Sequence, residues 1–303
     1  MVEWYMDTRV MRVFLSVADT LNFSRSSENL HMSLSAVSRT IARMEQELGQ
    51  SLLERDNRRV SLTRHGVQFR EYAQKALDDW QRLQQELSAD TALAGEVSLF
   101  CSVTASYSIL APILEAFRIA HPAVAIMMHT GDQADGISRV LSGADDVAVT
   151  ARPTSLSRRL SFLPLQQSPL ILCAPTADCV ARELTHLADI SAPDFDWSEV
   201  PFIVPERGIS KDLLDNWFRE QGITPTIYAQ VAGHEAIVAM VSLGLGVGIA
   251  PELVIATSAM RDMLTPIVPK HPLPSLDIGL CSLKHRLESP LVQSLWNTAQ
   301  NLG

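Results

Sequence analysis

Hydrophobic spacing changes character once along this chain, and the change falls at "SADTALAG", Ser88 to Gly95. Before it, apolar residues return every three or four positions, the period of helices buried along one face. Beyond it, short apolar runs alternate with helical segments, the pattern of an α/β unit. Residues 88–95 carry no periodicity and are expected to form a hinge between two kinds of structure.

In the first part, Asp7 is placed to cap a helix whose apolar positions are Val10, Phe14, Val17, Ala18 and Leu21. Ser24 is expected to cap a short second helix reaching about His31. Ser33 begins a third, which Gly49 ends. "LLERDNRRVSL" predicts two short strands around a turn at Asp56-Asn57, a wing completing residues 1–62 as a winged helix-turn-helix. Thr63 then starts a long helix over residues 63–87. There Phe69, Ala73, Ala76, Trp80, Leu83 and Leu87 alternate steps of four and three, the seam of a coiled coil, so a second copy of the same helix is expected to cover it.

The third helix carries the chemistry. "HMSLSAVSRTIARMEQELG" places Val37, Ile41, Met44 and Leu48 in one stripe and leaves Ser35, Arg39, Ala42 and Gln46 on the other side, with Arg43 at the flank. A helix entering a DNA major groove needs short side chains near its start and donors further along. Ser33, Leu34, Ser35, Ser38 and Arg39 are the candidate base-reading residues, with Arg39 suited to bidentate contact with guanine. Arg43, and Arg55, Arg58 and Arg59 in the wing, are candidates for phosphate or minor-groove contact. An isolated Ser/Arg face is an ordinary solvated surface; the surrounding helix-turn-helix-wing pattern is what points it at double-stranded DNA.

The net charge of −9 does not oppose this. Residues 1–87 hold 12 of the 25 Lys and Arg and 12 of the 34 Asp and Glu, so all of the excess acid lies beyond them. Within residues 31–70, seven arginines face four carboxylates.

The α/β part reads as strands at "EVSLFCSV", "HPAVAIMMHTG" and "DDVAVTA", then near Leu170–Cys173, Phe202–Val204, Ile227–Val231 and Val247–Ala250, with "LDIGLCSL" last and a parallel sheet expected. Helices are expected near Tyr107–Ala120 and Ile137–Leu141.

With 303 residues, 47% hydrophobic and 19% charged, the chain suits two or three globular domains. No apolar run approaches the roughly 20 residues of a membrane span. "MVEWYMDTRV" lacks the build of a signal peptide, so a cytoplasmic protein with no membrane partner is expected. Cys101, Cys173, Cys179 and Cys281 are neither paired like zinc ligands nor dense like a disulfide scaffold; they are expected to be reduced and mostly buried. The histidines are scattered, so no metal is expected. An α/β enzyme with Cys101 as nucleophile is a rival, but no G-x-S-x-G, H-E-x-x-H, P-loop or dinucleotide fingerprint accompanies it. A solute-binding protein is a second rival, opposed by the N-terminal helix-turn-helix.

"FLSVADTLNFSRSSENLHMSLSAVSRTIARMEQELGQSLLERDNRRVSLTRHG" resembles the N-terminal signature of LysR-type transcriptional regulators, and "GLGVGIAP" resembles their C-terminal signature. Within the family, "FCSVTASYSILAPILEAFRIAHP", "TGDQAD" and "GHEAIVAMVSLGLGVGIAPE" are most similar to the branch that activates the acetohydroxy acid isomeroreductase gene of isoleucine-valine biosynthesis. Departures exist: Leu34-Ser35 stands where Gln-Pro is frequent, and Ser26-Ser27 where two alanines are common. Leu34 cannot hydrogen-bond a base edge but can touch a thymine methyl.

The resemblance implies no enzyme activity and no cofactor. It implies an α/β effector domain of two lobes, like a periplasmic binding protein, the first over about 96–162 plus 268–303 and the second over 163–267. It further implies a homodimer or dimer of dimers, contact with RNA polymerase, and a small anionic metabolite as effector, 2-acetolactate or 2-aceto-2-hydroxybutyrate; a regulator of another pathway with a different anion is the alternative. Strand-to-helix junctions are where such sheets bind ligands. Ser102 and Thr104 in "CSVTAS", Thr130 and Gly131 after the next strand, Ile203, and His234 after Gly233 are accordingly the candidate effector contacts. Ser102 and Thr104 as mere helix caps, and His234 as part of a buried polar network, are the competing assignments.

Overall fold

The computed structural model of the chain describes residues 7–56, 59–87, 93–187 and 196–302. It divides into two compact units, Met1–Thr91 and Ala92–Gly303.

The first unit runs α1 (Thr8–Thr20), α2 (Phe23–Asn29), α3 (Leu34–Leu48), β1 (Leu53–Asp56), β2 (Arg59–Leu62) and α4 (Arg64–Leu87). Local chemistry sets most boundaries. Asp7 Oδ1 accepts from the Val10 amide at 2.8 Å, Ser33 Oγ from Ala36 at 3.2 Å, and Gly49 ends α3 at φ +64°. The second helix corrects the sequence reading: Asn22, not Ser24, is its cap, with Oδ1 accepting from Arg25 at 3.1 Å, and it ends at Asn29 rather than His31. Asn is at least as good a cap as Ser, and the extended backbone falls at residue 22. β1 and β2 pair antiparallel from Leu53↔Leu62 to Asp56↔Arg59. Of the turn expected at Asp56-Asn57, Asn57 lies outside the described residues. Glu45 of α3 ties the wing down, its Oε1 accepting from the Leu52 and Leu53 amides at 2.8 and 3.0 Å.

The core of this unit gathers Phe14, Val37, Ile41, Met44, Phe69 and Ala73. Phe14 and Phe69 meet edge to face with ring centres 4.9 Å apart. This revises the seam expected along α4. Phe69 and Ala73 are buried against their own unit, with Ala76 partly so, because α1 covers the first half of the stripe. Trp80 and Leu83 remain 45% and 43% exposed; the side chain of Leu87 lies outside the described residues. Ser26 is fully buried and satisfied: its hydroxyl donates to the Ser16 carbonyl at 3.0 Å and lies 2.6 Å from Thr20 Oγ1.

The second unit contains β3 (Gly95–Cys101), α5 (Val103–Ser108), α6 (Leu110–Ala120), β4 (Val124–Thr130), α7 (Gly136–Leu141), β5 (Val147–Ala151), β6 (Leu160–Pro175) and α8 (Val180–Leu187). It continues through β7 (Pro201–Pro205), α9 (Ile209–Glu220), β8 (Thr226–Val231), α10 (His234–Ser242), β9 (Val247–Pro251), α11 (Glu252–Thr257), β10 (Leu264–Ile267), β11 (Ser275–Leu283) and α12 (Pro290–Leu302). The strand order is β4-β3-β5-β11-β6-β9-β7-β8, with β10 also on β6.

The sheet is mixed rather than wholly parallel: β3 lies parallel to β4 and β5, and β7 to β8 and β9, while β6, β10 and β11 make antiparallel pairs. β6 runs through both lobes. From Leu160 to Pro169 it pairs with β11; from Leu170 onward it pairs with β9, so the crossing falls beyond the expected Phe162. The helix expected near Tyr107–Ala120 is two helices meeting at Ile109.

Phe69→Ala is expected to cost about 3–5 kcal/mol in the first unit, read as lost hydrogen-exchange protection of α1 and α4 in the full chain. Trp80→Ala, at an exposed position outside this core, should leave the protection of α1 intact.

Candidate nucleic-acid interface and ligand cleft

Helix α3 turns Val37, Ile41 and Met44 inward and leaves Ser33, Leu34, Ser35, Arg39 and Arg43 exposed, with Ser38 half-buried. The Ser33 and Ser35 hydroxyls lie 3.1 Å apart. Arg39 Nε donates to the Ser35 carbonyl at 3.2 Å, which lays the guanidinium along the helix surface. Arg43 Nε instead meets Glu47 Oε1 at 2.9 Å, one turn on. The N-terminal half of the outer face therefore offers small hydroxyls and one aliphatic tip, and the next turns offer two arginines. That is a surface a base-pair edge and a phosphate can approach. Arg55 and Arg59 stand in β1 and β2, paired across the hairpin with Val60 and Asp56; Arg58 lies outside the described residues.

In the second unit, the strand-to-helix junctions of both lobes converge on two adjoining cavities. One, with about 310 Å³ of empty space that includes open solvent, is lined by Ser102 and Thr104 together with apolar side chains including Ile109, Val149, Leu253 and Ile278. The other, of about 500 Å³ and open to solvent, holds Asp132, Arg207, Ser210 and His234. Gln133 lines both.

Three sequence candidates thus reach the cleft and three do not. Thr130 is exposed at the end of β4 and lines neither cavity, as does Gly131, whose amide donates to the Cys101 carbonyl at 3.1 Å. Ile203 is fully buried in β7 among Ile237, Val238 and Val241, so its side chain belongs to the core. The sequence reading passed over Gln133, Arg207, Ser210 and Glu235. Glu235 follows a candidate in the first turn of α10, and Arg207 follows a strand end, so both sat at positions that could have been searched.

Ser102 caps α5, its Oγ accepting from the Ala105 amide at 3.2 Å. The Thr104 amide donates to Glu235 Oε1 at 3.0 Å, so the start of α5 already holds a carboxylate of the protein itself. Burial pushes the Glu235 carboxyl up, but the Thr104 amide and hydroxyl outweigh it and hold it below the usual carboxylate range. His234 Nε2 lies 2.9 Å from Ser210 Oγ, and burial lowers its pKa, so it is neutral, and its tautomer sets which of the two donates. Arg207 is the one cation among the described residues lining either cavity. Cys101 is buried, and its thiol is pushed up to about 11 by burial first and by Asp145 and Glu235 next. A thiol so protonated is a poor nucleophile. All four cysteines are free, with Cys179 the partly exposed one. Among the described residues no group of His, Cys, Asp and Glu is placed to hold a metal, and no helix is long and apolar enough to cross a membrane.

A winged helix-turn-helix with donors facing outward, on the same chain as a two-lobed unit enclosing a cleft, defines a ligand-responsive DNA-binding regulator. Residues 8–67 match the model of the bacterial regulatory helix-turn-helix protein, lysR family, and residues 90–302 that of the LysR substrate binding domain. The chain belongs to the LysR family of DNA-binding transcriptional regulators. It is 39% identical over 300 residues to the HTH-type transcriptional activator IlvY of Salmonella typhimurium, covering 98% of this chain and 100% of that one. The IlvY regulator of Escherichia coli matches equally, over 99% of its length. Among solved structures, a full-length cysteine-to-aspartate variant of OxyR from Pseudomonas aeruginosa superposes with a TM-score of 0.67 at 19% identity, over 98% of this chain and 96% of that one. CbnR, a LysR family transcriptional regulator, superposes at 0.62 and 21%, over 98% and 99%. These relatives are regulators, not enzymes.

Because the folded pKa of His234 is depressed, the unfolded chain takes up a proton near pH 6.5 that the folded one refuses. The penalty is absent above that pH and grows as pH falls below it. Urea midpoints between pH 7.5 and 5.5 should therefore fall more steeply for the wild type than for His234→Asn; equal slopes would show that His234 is not held neutral.

Proposed function

We propose that this protein activates branched-chain amino acid biosynthesis genes in response to an acetohydroxy acid, 2-acetolactate or 2-aceto-2-hydroxybutyrate. The observation that carries this reading is the 39% identity to IlvY activators over 98% of the chain. The cleft supports it chemically. Such an effector has a carboxylate, a hydroxyl, a ketone and a short alkyl group. Arg207 supplies a cation, Ser102, Thr104, Ser210 and His234 supply hydrogen-bonding groups, and the apolar wall formed by Ile109, Val149 and Leu253 suits a methyl or ethyl group.

On DNA, Arg39 reads a base edge and Arg43 a phosphate, with Ser33, Ser35 and Leu34 allowing close approach and the wing arginines on the backbone. The exposed Trp80 and Leu83 support pairing of two copies along the outer part of α4, and two such dimers complete a tetramer. Activation then includes contact with RNA polymerase. The effector acts by binding one arrangement of the lobes more tightly than the other.

Arg39→Ala is expected to relax sequence selectivity, costing about 1–3 kcal/mol on the operator alone, whereas Arg43→Ala weakens binding to every sequence and flattens its salt dependence. Binding titrations of both variants on operator and scrambled duplexes at several salt concentrations decide this, and a uniform loss for Arg39→Ala removes it from base reading. For the effector, calorimetric titration of the full chain with both acetohydroxy acids should give saturable heat. Its absence, alongside saturable binding of a different small anion, would move the protein to another pathway.

A further inference from the structure

Besides the contacts of α5 with Glu235 and Thr257, the lobes meet at the cleft through one short loop from each. Arg207, after β7, sends Nη1 to Asp135 Oδ1 at 2.6 Å and Nη2 to Asp135 Oδ2 at 3.1 Å, a bidentate pair across the gap, with Asp132 Oδ2 at 3.5 Å. The adjacent Gly208 adopts φ +86°, and a Cβ there would lie 2.7 Å from that of Ala134, so the two loops are in close contact. The charges around this gap are unequal. Arg207, the one cation lining the cavities among the described residues, meets three carboxylates, Asp132, Asp135 and Glu206, and His234 is neutral. At the start of α5 the Thr104 amide is already taken, donating to the Glu235 carboxylate. The one cation of the cavity is engaged by Asp135.

We propose that the effector's carboxylate displaces Asp135 from Arg207, so that ligand binding and release of the Arg207–Asp135 latch are a single event. This rests on the reading of the effector as an anionic acetohydroxy acid. Asp135 is then a specificity residue: it excludes neutral hydroxyketones, which have no group able to replace it, and admits carboxylates. It also makes the ligand sensitive to lobe arrangement, because the closed latch and the bound carboxylate compete for the same guanidinium edge. A ligand of equal affinity for both arrangements would shift nothing.

The test uses the full chain. Asp135→Asn keeps the shape of the latch and removes its charge. Calorimetry with 2-aceto-2-hydroxybutyrate should show affinity raised about threefold to fivefold, in line with an exposed ion pair, and the neutral counterpart 3-hydroxypentan-2-one should give no heat with the wild type. Arg207→Gln should lower affinity about tenfold or more, as loss of a charge-assisted bond does. In hydrogen exchange, residues 132–136 and 206–210 should exchange faster in Asp135→Asn without ligand, and faster in the wild type with ligand. Unchanged or weakened binding in Asp135→Asn, or ligand-induced slowing of those segments, overturns the latch. Should neither acetohydroxy acid bind the wild type, the effector reading falls by itself. The ligand-free exchange comparison still judges the latch, and identical exchange in Asp135→Asn and wild type sinks it.

Discussion

The second unit depends on one backbone, strand β6, which is shared between two half-sheets. Its first ten residues pair with β11 and its continuation with β9 and β10, so neither lobe has a central sheet without it. The partners change at Pro169–Leu170, beside Ser168, whose buried hydroxyl accepts from the Leu253 amide at 3.2 Å. A continuous strand limits how the lobes can move. Relative motion is a bend or twist of the sheet at this crossing, and the loops carrying Asp135 and Arg207 lie where such a bend is felt at the cleft. A small displacement there suffices to make or break a bidentate contact, which is sensitive to both distance and angle.

The first unit solves a different problem, that of keeping one side of a short helix free. Helix α3 buries only Val37, Ile41 and Met44, and rigidity comes from its neighbours: Phe14 against Phe69, Glu45 holding the base of the wing, and the buried hydroxyl of Ser26 joining α2 to α1. The exposed face, with Leu34 and Ser35 at its start, can then be chosen for its partner without disturbing the fold.

How much of this was legible in the sequence follows the range of the interactions. Asp7, Ser33 and Gly49 were readable because a cap or a helix-ending glycine acts over three or four residues. Asn22 and Ser24 compete over the same range, and the backbone chose the former. The seam of α4 was seen correctly as apolar, but what covers its first half, α1, lies some fifty residues earlier. Ile203 was misplaced because a strand buried on both faces sends its side chains to two cores, and spacing does not reveal which face meets a cavity. Arg207–Asp135 and Thr104–Glu235 join residues 72 and 131 apart, and nothing local announces either. The cleft's polar partners are thus the least legible part of the molecule, while its element order is nearly all local pattern.

The placing of β11 bears on how the chain is made. Residues 275–283 are made after every other described strand of the sheet yet insert between β5 and β6, in the middle of the finished sheet. While the ribosome is still translating, the first lobe holds a gap lined by two strands whose exposed backbone could pair wrongly. Folding of that lobe waits for β11, and a chain cut short before it loses the centre of its sheet rather than its margin.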